Sequence, residues 1–297
     1  MTRLADLAEL VRAPAALSVP GDVLSGAAAA GALGPRTPAL AGASVLLYWA
    51  GMAANDWADR RLDAVERPER PIPSGRVRPS VALGVASGLT AAGLAVATAA
   101  GGRRAAAVAL PLAATIWGYD LRAKNTAAGP AVMAACRGLD VLLGASGGRV
   151  VRALPAALTV AAHTWTVTAL SRREVTGADR RLPGFTLAGT ALIALATPAR
   201  PTPPATARSG SSRAARLGDL VPAVLAAGYA TRYGRAQARV LADPSPARVR
   251  AAVGAGITGL PALQGALTAR AGARMLGLAV AGAAPLGRRL ARLISPT

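Results

Sequence analysis

Residues 53–75 read AANDWADRRLDAVERPERPIPSG, a run of acids, arginines and prolines that follows directly on a long apolar segment. Asp56, Asp59 and Asp63 are spaced at i, i+3 and i+7, so at about 100° per residue they lie within a narrow arc of a helix. Asn55 precedes the first of them. The stretch predicts a helix that ends in a stack of carboxylates where the chain leaves an apolar environment.

The composition of the whole chain is typical of a membrane protein. The 297 residues are 53% hydrophobic and 16% charged, with a mean hydropathy of +0.38, whereas soluble domains carry about 25% charged residues. The apolar residues form separate runs, each ending in Arg, Pro or Gly, which predicts an all-α polytopic bundle forming one domain over residues 1–297. The predicted spans are 14–33, 38–55, 80–100, 104–120, 128–147, 153–170, 184–198, 217–231 and 249–268, with a further apolar segment at 273–287.

The charged residues limit the classes of partner. The formal net charge is +20, but the arginines sit between apolar runs and form no basic stripe with interleaved aromatics, so anionic membrane lipids and not nucleic acid are the predicted counter-charge. Cys136 is the single cysteine of the sequence, which excludes an intrachain disulfide. His163 is also single, and we expect it to be packed or to face a cavity.

The connections between the predicted spans give an orientation. The loops after the second, fourth and sixth spans carry twelve Arg and Lys residues, against five on the other side. The positive-inside rule therefore predicts a cytoplasmic amino terminus and cytoplasmic charged loops. Within the spans, small residues at four-residue spacing, such as Gly84 and Gly88, predict close helix packing.

Three carboxylates at the carboxyl end of a membrane helix repel each other and face the negative end of the helix dipole. A positive charge should compensate them. Mg²⁺ prefers oxygen ligands and bridges one or two carboxylates to a substrate phosphate, so Asn55, Asp56, Asp59 and Asp63 are candidate metal ligands. The alternative is a solvated helix end whose acids pair with nearby arginines, namely Arg60, Arg61 and Arg67.

The residues after the carboxylates predict a stiff basic loop. Pro68, Pro71 and Pro73 restrict their own backbone and that of the residues before them. Such a loop can hold Arg70 over bound phosphates, where the guanidinium makes forked hydrogen bonds.

The pattern NDxxDxxxD followed by RPIPSG resembles the signature of the UbiA superfamily of intramembrane prenyltransferases. Residues 119–126, YDLRAKNT, are similar to a second element of that family and put Lys124 on its basic position and Thr126 on its threonine. The resemblance implies a ring of about nine transmembrane helices around a central cavity. It also implies that Asn55, Arg70 and Lys124 bind the diphosphate of a polyprenyl diphosphate.

A second aspartate motif of the family is expected at the end of the sixth span, and this sequence departs from it. Thr164 and Ser171 occupy positions normally held by aspartate, and Glu174 is the one acid close to a motif position. Either Arg172 holds the diphosphate directly, with Asp120 lending a carboxylate from the fourth span, or the site binds an amphiphile without chemistry. The stretches SRREVTG and CRGLDVLLG resemble the bacterial EboC-type branch of the superfamily.

Other polar residues in the apolar runs are candidates for the acceptor or for a second site. Arg137 and Asp140 lie at i and i+3 inside the fifth span, either as a neutralising structural pair or as an acceptor-binding pair. Tyr119 either lines the prenyl tunnel or belongs to the interfacial aromatic belt. The run 229–250 has three arginines on one side of a possible helix, typical of a face exposed to solvent or lipid phosphate: Arg232, Arg235 and Arg239.

The resulting hypothesis is a Mg²⁺-dependent prenyltransferase of a bacterial inner or plasma membrane. Asp56, Asp59 and Asp63 are the predicted catalytic carboxylates, and a small hydrophobic or aromatic acceptor in the apolar cavity is the predicted partner of the donor. The rival hypothesis is a related membrane protein that binds or transports an isoprenoid or another amphiphile without catalysis.

Overall fold

The structure, a computed structural model, describes residues 3–12, 18–198 and 213–283. All regular elements in these ranges are helical, with no strand among them, which confirms the predicted all-α bundle. The helices are α1 Leu4–Leu10, α2 Pro20–Ala30, α3 Thr37–Glu66, α4 Pro79–Gly118, α5 Gly129–Ala145, α6 Val150–Ser171, α7 Arg181–Ala196, α8 Arg213–Ala242, α9 Pro246–Arg270 and α10 Arg274–Ala283. A π-helical turn, Tyr119–Ala123, continues α4.

The helices correspond to the predicted spans with differences at their ends. Gly102 divides α4, because its φ of 64° and ψ of −155° are accessible to glycine and interrupt the helix. The predicted spans 80–100 and 104–120 are therefore the two halves of one long element. In contrast, α8 continues eleven residues beyond the predicted span 217–231, because hydropathy marks where apolar residues end and not where a helix ends. Residues 14–17 and 284–287 of the predicted segments lie outside the described ranges.

Three described helices are long and apolar enough to cross a membrane: Thr37–Glu66, Val150–Ser171 and the continuous element Pro79–Ala123. Two shorter helices, α7 and α10, are also apolar. The remaining bundle helices are shorter or carry charged residues inside them. Neighbours in sequence pack in pairs, α3 with α4, α5 with α6 and α8 with α9, and α9 also packs against α2, which brings the end of the bundle back to its start.

The connections alternate between two ends of the bundle. At one end, the Arg149 amide donates to the Ala30 carbonyl at 3.1 Å. At the other end, the Ala178 amide donates to the Pro244 carbonyl at 3.0 Å, and Arg172 reaches the carbonyls of Lys124 and Thr126. The charged loops predicted to share one side therefore meet.

Glycine contacts bring α2 and α5 together. A Cβ atom at Gly26 would lie 1.8 Å from the Val141 carbonyl oxygen, and one at Gly144 would lie 2.0 Å from the Val23 oxygen. Gly84 and Gly88 face open space instead, with no heavy atom within 4 Å of a Cβ placed there. The prediction that this pair mediates helix packing was wrong. Four-residue spacing shows that one face of a helix carries small residues, but it does not show whether another helix packs against that face.

A charged network lies between α2, α3, α5 and α9. Arg137 Nε lies 2.7 Å from Asp22 Oδ2, and the Ser44 hydroxyl donates to Asp140 Oδ1. Gln264 Nε2 donates to Asp22 Oδ1 at 2.6 Å. All of these side chains are buried, so one guanidinium compensates two carboxylates where no water can do so.

A second polar group fills the other half of the bundle. His163 Nδ1 lies 2.9 Å from the Tyr229 hydroxyl, and the Tyr233 hydroxyl lies 3.2 Å from Thr166 Oγ1. All four side chains are buried. His163 is therefore a packed residue, as expected from its apolar surroundings.

We expect Gly144→Ala to lower the stability of the protein, because the added methyl group overlaps the α2 backbone and α5 must move outward. Overpacking of this kind costs about 1–3 kcal/mol. Thermal unfolding of the purified protein in detergent measures the effect. Gly88→Ala is the matched control, and equal melting temperatures for the two variants would contradict the packing described.

Replacement of Arg137 tests the buried network. In Arg137→Met the two carboxylates lose their counter-charge, and breaking a buried ion pair in this way costs about 3–5 kcal/mol. The double variant Arg137→Met/Asp22→Asn should regain part of the lost stability, because it removes one of the uncompensated charges. Arg104→Met, at an exposed position, is the control; a single and a double variant of equal thermal stability would argue against the network.

Candidate active site

The carboxylates at the end of α3 point in two directions. Asp56 and Asp63 are both buried, and Arg70 Nη1 lies 3.4 Å from Asp56 Oδ1 and 2.7 Å from Asp63 Oδ2. Arg12 Nη2 also donates to Asp56 Oδ1, at 2.7 Å. One guanidinium therefore bridges two acids that are two helical turns apart.

Asn55 and Asp59 face the opposite neighbour. Lys124 Nζ lies 2.6 Å from Asp59 Oδ1 and donates to Asn55 Oδ1 at 2.9 Å. The helical period explains the division, because residues seven apart differ by about 20° around the axis and residues four apart by about 40°. The predicted stack is thus two adjacent pairs, each with its own basic partner.

The end of α3 is set by the residue pattern that follows it. Arg67 adopts φ −147° and ψ 63°, outside the helical region, as expected for a residue before a proline. Ile72 and Val77 are buried and anchor the loop to the bundle, and the Val77 amide donates to the Pro71 carbonyl at 2.8 Å. The loop therefore holds Arg70 against the carboxylates, while its predicted contact with phosphates stays a prediction.

The π-helical turn after α4 brings the fourth span to the same place. The Lys124 amide donates to the Tyr119 carbonyl at 2.9 Å, five residues back, and such a local widening often marks a functional site. Asp120 is buried and within electrostatic range of Asp56, Asp59 and Lys124. It is a fourth carboxylate of this group, which we call the carboxylate cluster: Asp56, Asp59, Asp63 and Asp120.

The amino-terminal helix covers the cluster from another side. Arg76, in the loop after α3, donates to Asp6 Oδ1 at 3.0 Å and to Glu9 Oε2 at 2.6 Å, which fixes α1 against this loop. A hydrogen bond from the Arg3 amide holds the pKa of Asp6 below its usual range. Arg12 follows α1 directly and so reaches Asp56, a contact that sequence spacing did not predict because 44 residues separate the partners.

A cavity of about 280 Å³ lies beside the cluster. Its polar mouth is formed by side chains from three elements, and its inner wall is largely apolar. Its lining includes Arg12, Tyr48, Asn55, Tyr119, Asp120 and Cys136. The Tyr48 hydroxyl is buried and has no hydrogen-bond partner among the described residues.

The end of α6 is arranged differently. The hydroxyls of Thr164 and Ser171 donate to carbonyls of their own helix, Val160 at 2.9 Å and Thr168 at 2.9 Å. Burial raises the pKa of Glu174, an effect opposed by Arg250, whose Nη1 donates to the Glu174 carbonyl at 2.9 Å.

Arg172 is occupied by backbone oxygens. Its Nη1 donates to the Lys124 carbonyl at 3.2 Å and to the Thr126 carbonyl at 2.5 Å. The side chain thus ties α6 to the loop that carries Lys124, next to the cluster.

Arg137 and Asp140 belong to the buried network with Asp22 and do not line the cavity described above. The guanidinium lies 5.5 Å from the centroid of the Tyr48 ring, which separates it from the cavity. Sequence reasoning missed Asp22, although an acid inside the first apolar run was the signal that could have identified it.

The structure agrees only in part with the alternative hypothesis, in which the acids at a solvated helix end pair with Arg60, Arg61 and Arg67. Arg67 Nη1 lies 3.7 Å from Asp63 Oδ1, but Arg60 donates to the Trp57 carbonyl and lies over the Trp57 ring. The exposed fractions of the Asp56 and Asp63 side chains are 5% and 2%. These acids are compensated by groups of the protein and not by water.

No group of three or more His, Cys, Asp or Glu side chains in the described ranges is arranged as a metal cage. Mg²⁺ does not require one, since it commonly takes one or two carboxylates together with waters and substrate phosphates. The amide of Asn55, which lines the cavity, and the neighbouring carboxylates of Asp56 and Asp59 supply oxygen donors of this type. The residues present therefore fit a cation that arrives with a phosphorylated ligand.

Solved structures share this fold. The chain superimposes with a TM-score of 0.67 and 17% identity on a structure from a study of digeranylgeranylglyceryl phosphate synthase in membranes, covering 91% of this chain and 99% of that one. The apo structure of a UbiA homologue from Aeropyrum pernix gives a TM-score of 0.57 at 17% identity, covering 82% and 96% of the two chains. At 17% identity, these two comparisons show that the fold is shared.

Sequence relatives are matched over shorter stretches. Digeranylgeranylglyceryl phosphate synthase of Methanothrix thermoacetophila is 44% identical over 80 residues, 26% of this chain and 30% of that protein. The 33 kDa chain of bacteriochlorophyll synthase of Cereibacter sphaeroides is 46% identical over 54 residues, 18% of each. The matched stretches thus span less than a third of these relatives. The model of the UbiA prenyltransferase family matches residues 21–199, more than half of the sequence, and the chain belongs to that family.

Proposed function

We propose that this protein transfers a prenyl group from a polyprenyl diphosphate to a small hydrophobic or aromatic acceptor within the membrane. The observation that carries the proposal is the carboxylate cluster with its partners Arg12, Arg70 and Lys124, next to a largely apolar cavity that Arg12, Asn55 and Asp120 help to line. A diphosphate fits the charged mouth, and an isoprenoid chain or its acceptor fits the apolar wall.

The electrostatic balance of the cluster favours a ligand that brings both signs of charge. Arg12, Arg70 and Lys124 each lie within 2.7 Å of a carboxylate oxygen. A diphosphate alone would compete with the carboxylates for these cations. A diphosphate that carries a divalent cation gives the carboxylates a new positive partner in place of the three basic side chains. Those side chains can then bind phosphate oxygens.

We assign the oxygen ligands of Mg²⁺ to Asn55, Asp56 and Asp59, with Asp63 held by Arg70 and Asp120 in support. When bound, the ion supplies Lewis-acid stabilisation of negative charge on the departing diphosphate. The side chains of Arg70 and Lys124 supply fixed positive charge at the same group, which is electrostatic stabilisation by preorganised donors. Arg172 acts mainly through the loop that it anchors.

The cavity wall suggests how an acceptor is oriented. Tyr119 and Asp120 line one part of the cavity, and Met52, Ile116 and Met133 supply apolar wall. The body of an acceptor can pack on the apolar wall with its polar end toward Tyr119 and Asp120. Several matched relatives are named for digeranylgeranylglyceryl phosphate synthesis, so a geranylgeranylglyceryl phosphate is the first acceptor to assay.

Diphosphate release tests the proposed reaction. Purified protein in detergent, given geranylgeranyl or farnesyl diphosphate and geranylgeranylglyceryl phosphate, should release diphosphate with Mg²⁺ and not with excess chelator. An extract of membrane lipids replaces the synthetic acceptor in a parallel reaction. Donor that stays intact in every reaction, with the protein folded, would contradict the proposal.

Asp59→Asn tests the assignment of the cluster. The substitution removes one anionic oxygen donor and a partner of Lys124, and we expect diphosphate release to fall by about a hundredfold or more, the usual scale for such electrostatic groups. The Asp59 side chain is 22% exposed, so stability should change little.

Asp179→Asn is the matched control, since Asp179 is an exposed acid whose carboxylate accepts the Leu182 amide away from the cavity. It should retain full activity. Comparable rates for wild type and Asp59→Asn would refute the catalytic role given to the cluster.

A further inference from the structure

A basic groove of about 510 Å³ runs along the outside of the bundle between α8 and α9. Arg232, Arg235 and Arg239 line it from α8, and Arg248 lines it from α9. All four residues are exposed. The groove is separate from the cavity at the carboxylate cluster, and the two share no lining residue.

The arginines of α8 form a ladder that begins at one end of the bundle. Their spacing of i, i+3 and i+7 puts them on one face of the helix, and Arg239 lies three residues before the last residue of α8. Arg232 lies ten residues before it, about 15 Å along the axis. The ladder therefore begins close to the end of α8 and continues along its face for about two helical turns.

The groove opens at the same end of the bundle as the carboxylate cluster. The loop between α8 and α9 contacts the loop after α6, where the Ala178 amide donates to the Pro244 carbonyl at 3.0 Å and Arg250 donates to the Glu174 carbonyl at 2.9 Å. The neighbouring Arg172 joins the loop that carries Lys124. Both features thus face the same leaflet.

Little negative charge in the described structure compensates the groove. No acidic residue is among those that line it. Asp243 lies at its mouth, 3.4 Å from Arg248, and Arg232 donates to Thr258 Oγ1 at 3.0 Å. Within the described ranges, Arg235 and Arg239 have no ion-pair partner, so an anion at the membrane interface can compensate them without displacing a carboxylate.

We propose that this groove binds the head group of an anionic phospholipid. Arg235, Arg239 and Arg248 hold the phosphate by charge-assisted hydrogen bonds. Beyond the arginines the wall is made of small residues, among them Ala227, Gly228 and Ala255, which leave space for the start of an acyl chain. Basic pockets between transmembrane helices select anionic head groups in this way.

A phospholipid is the proposed ligand because the groove has both a basic wall and a wall of small apolar residues. A free phosphate would use the arginines but not the apolar part, whereas a phospholipid uses both and is present wherever the protein is. This site is independent of the proposed prenyl transfer, since none of its residues contacts the carboxylate cluster.

Native mass spectrometry of the purified protein measures the lipid affinity directly. Dioleoylphosphatidylglycerol and dioleoylphosphatidylcholine are titrated separately, and inorganic phosphate is added as a competitor in a third series. We expect tighter binding of phosphatidylglycerol and no displacement by millimolar phosphate. In Arg235→Gln/Arg239→Gln/Arg248→Gln the affinity for phosphatidylglycerol should fall roughly a hundredfold, from about 1 kcal/mol for each arginine near the surface.

The variant Arg103→Gln/Arg104→Gln/Arg152→Gln is the control, because it removes the same number of exposed arginines at the other end of the bundle. It should keep the affinity of the wild type. If the groove variant does not fold, Arg235→Gln alone provides the test, with an expected loss of about fivefold. Equal affinity for both lipids, equal losses in the groove and control variants, or displacement by phosphate would each overturn the proposal.

Discussion

Compensation of the acids at the end of α3 determines the surrounding structure. Neighbouring buried carboxylates repel one another and are unfavourable unless cations approach closely, and Asp63, in the last turn of α3, also faces the partial negative charge of the helix end. The chain supplies those cations from three places, the residue after α1, the loop after α3 and the turn after α4. Each of these three segments is held in position by other contacts. Arg76 fixes α1, the buried Ile72 anchors the loop after α3, and the π-helical turn positions the residues after α4.

The interior of the bundle contains buried contacts that are separate from the site. The network around Arg137 and the glycine contacts of α2 with α5 share no residue with the cavity lining, and the Tyr48 ring is the cavity residue that lies next to Arg137. In that network the Arg137 guanidinium is shared by two buried carboxylates, which also accept hydrogen bonds from Ser44 and Gln264. At the cluster the acids and bases are also paired, but near a cavity, where an incoming ligand can exchange partners with them. Similar residue types therefore serve packing in one place and binding in the other.

Local patterns in the sequence predicted much of this arrangement. Hydropathy located the helices, and the spacing of the α3 aspartates with the proline-rich loop identified Asp56, Asp59 and Arg70. Lys124 was found by resemblance to a family pattern. Arg12 and Asp22 were not found, because their partners are far away in sequence and spacing carries no information about such contacts. Gly84 and Gly88 illustrate the same limit, because the sequence shows that these small residues share a helix face but not which surface lies opposite that face.

The two halves of the bundle differ in how they treat polar groups, and this difference bears on the chemistry. At the end of α6, where the family pattern has aspartates, the hydroxyls of Thr164 and Ser171 bond to their own helix. Deeper in that half, His163 and two tyrosines form a neutral, buried group. Neither arrangement offers anionic oxygen to a second cation. Under the proposed function, charge that develops on a departing diphosphate would therefore be balanced largely from the first half, by the proposed cation at the cluster and by Arg12, Arg70 and Lys124.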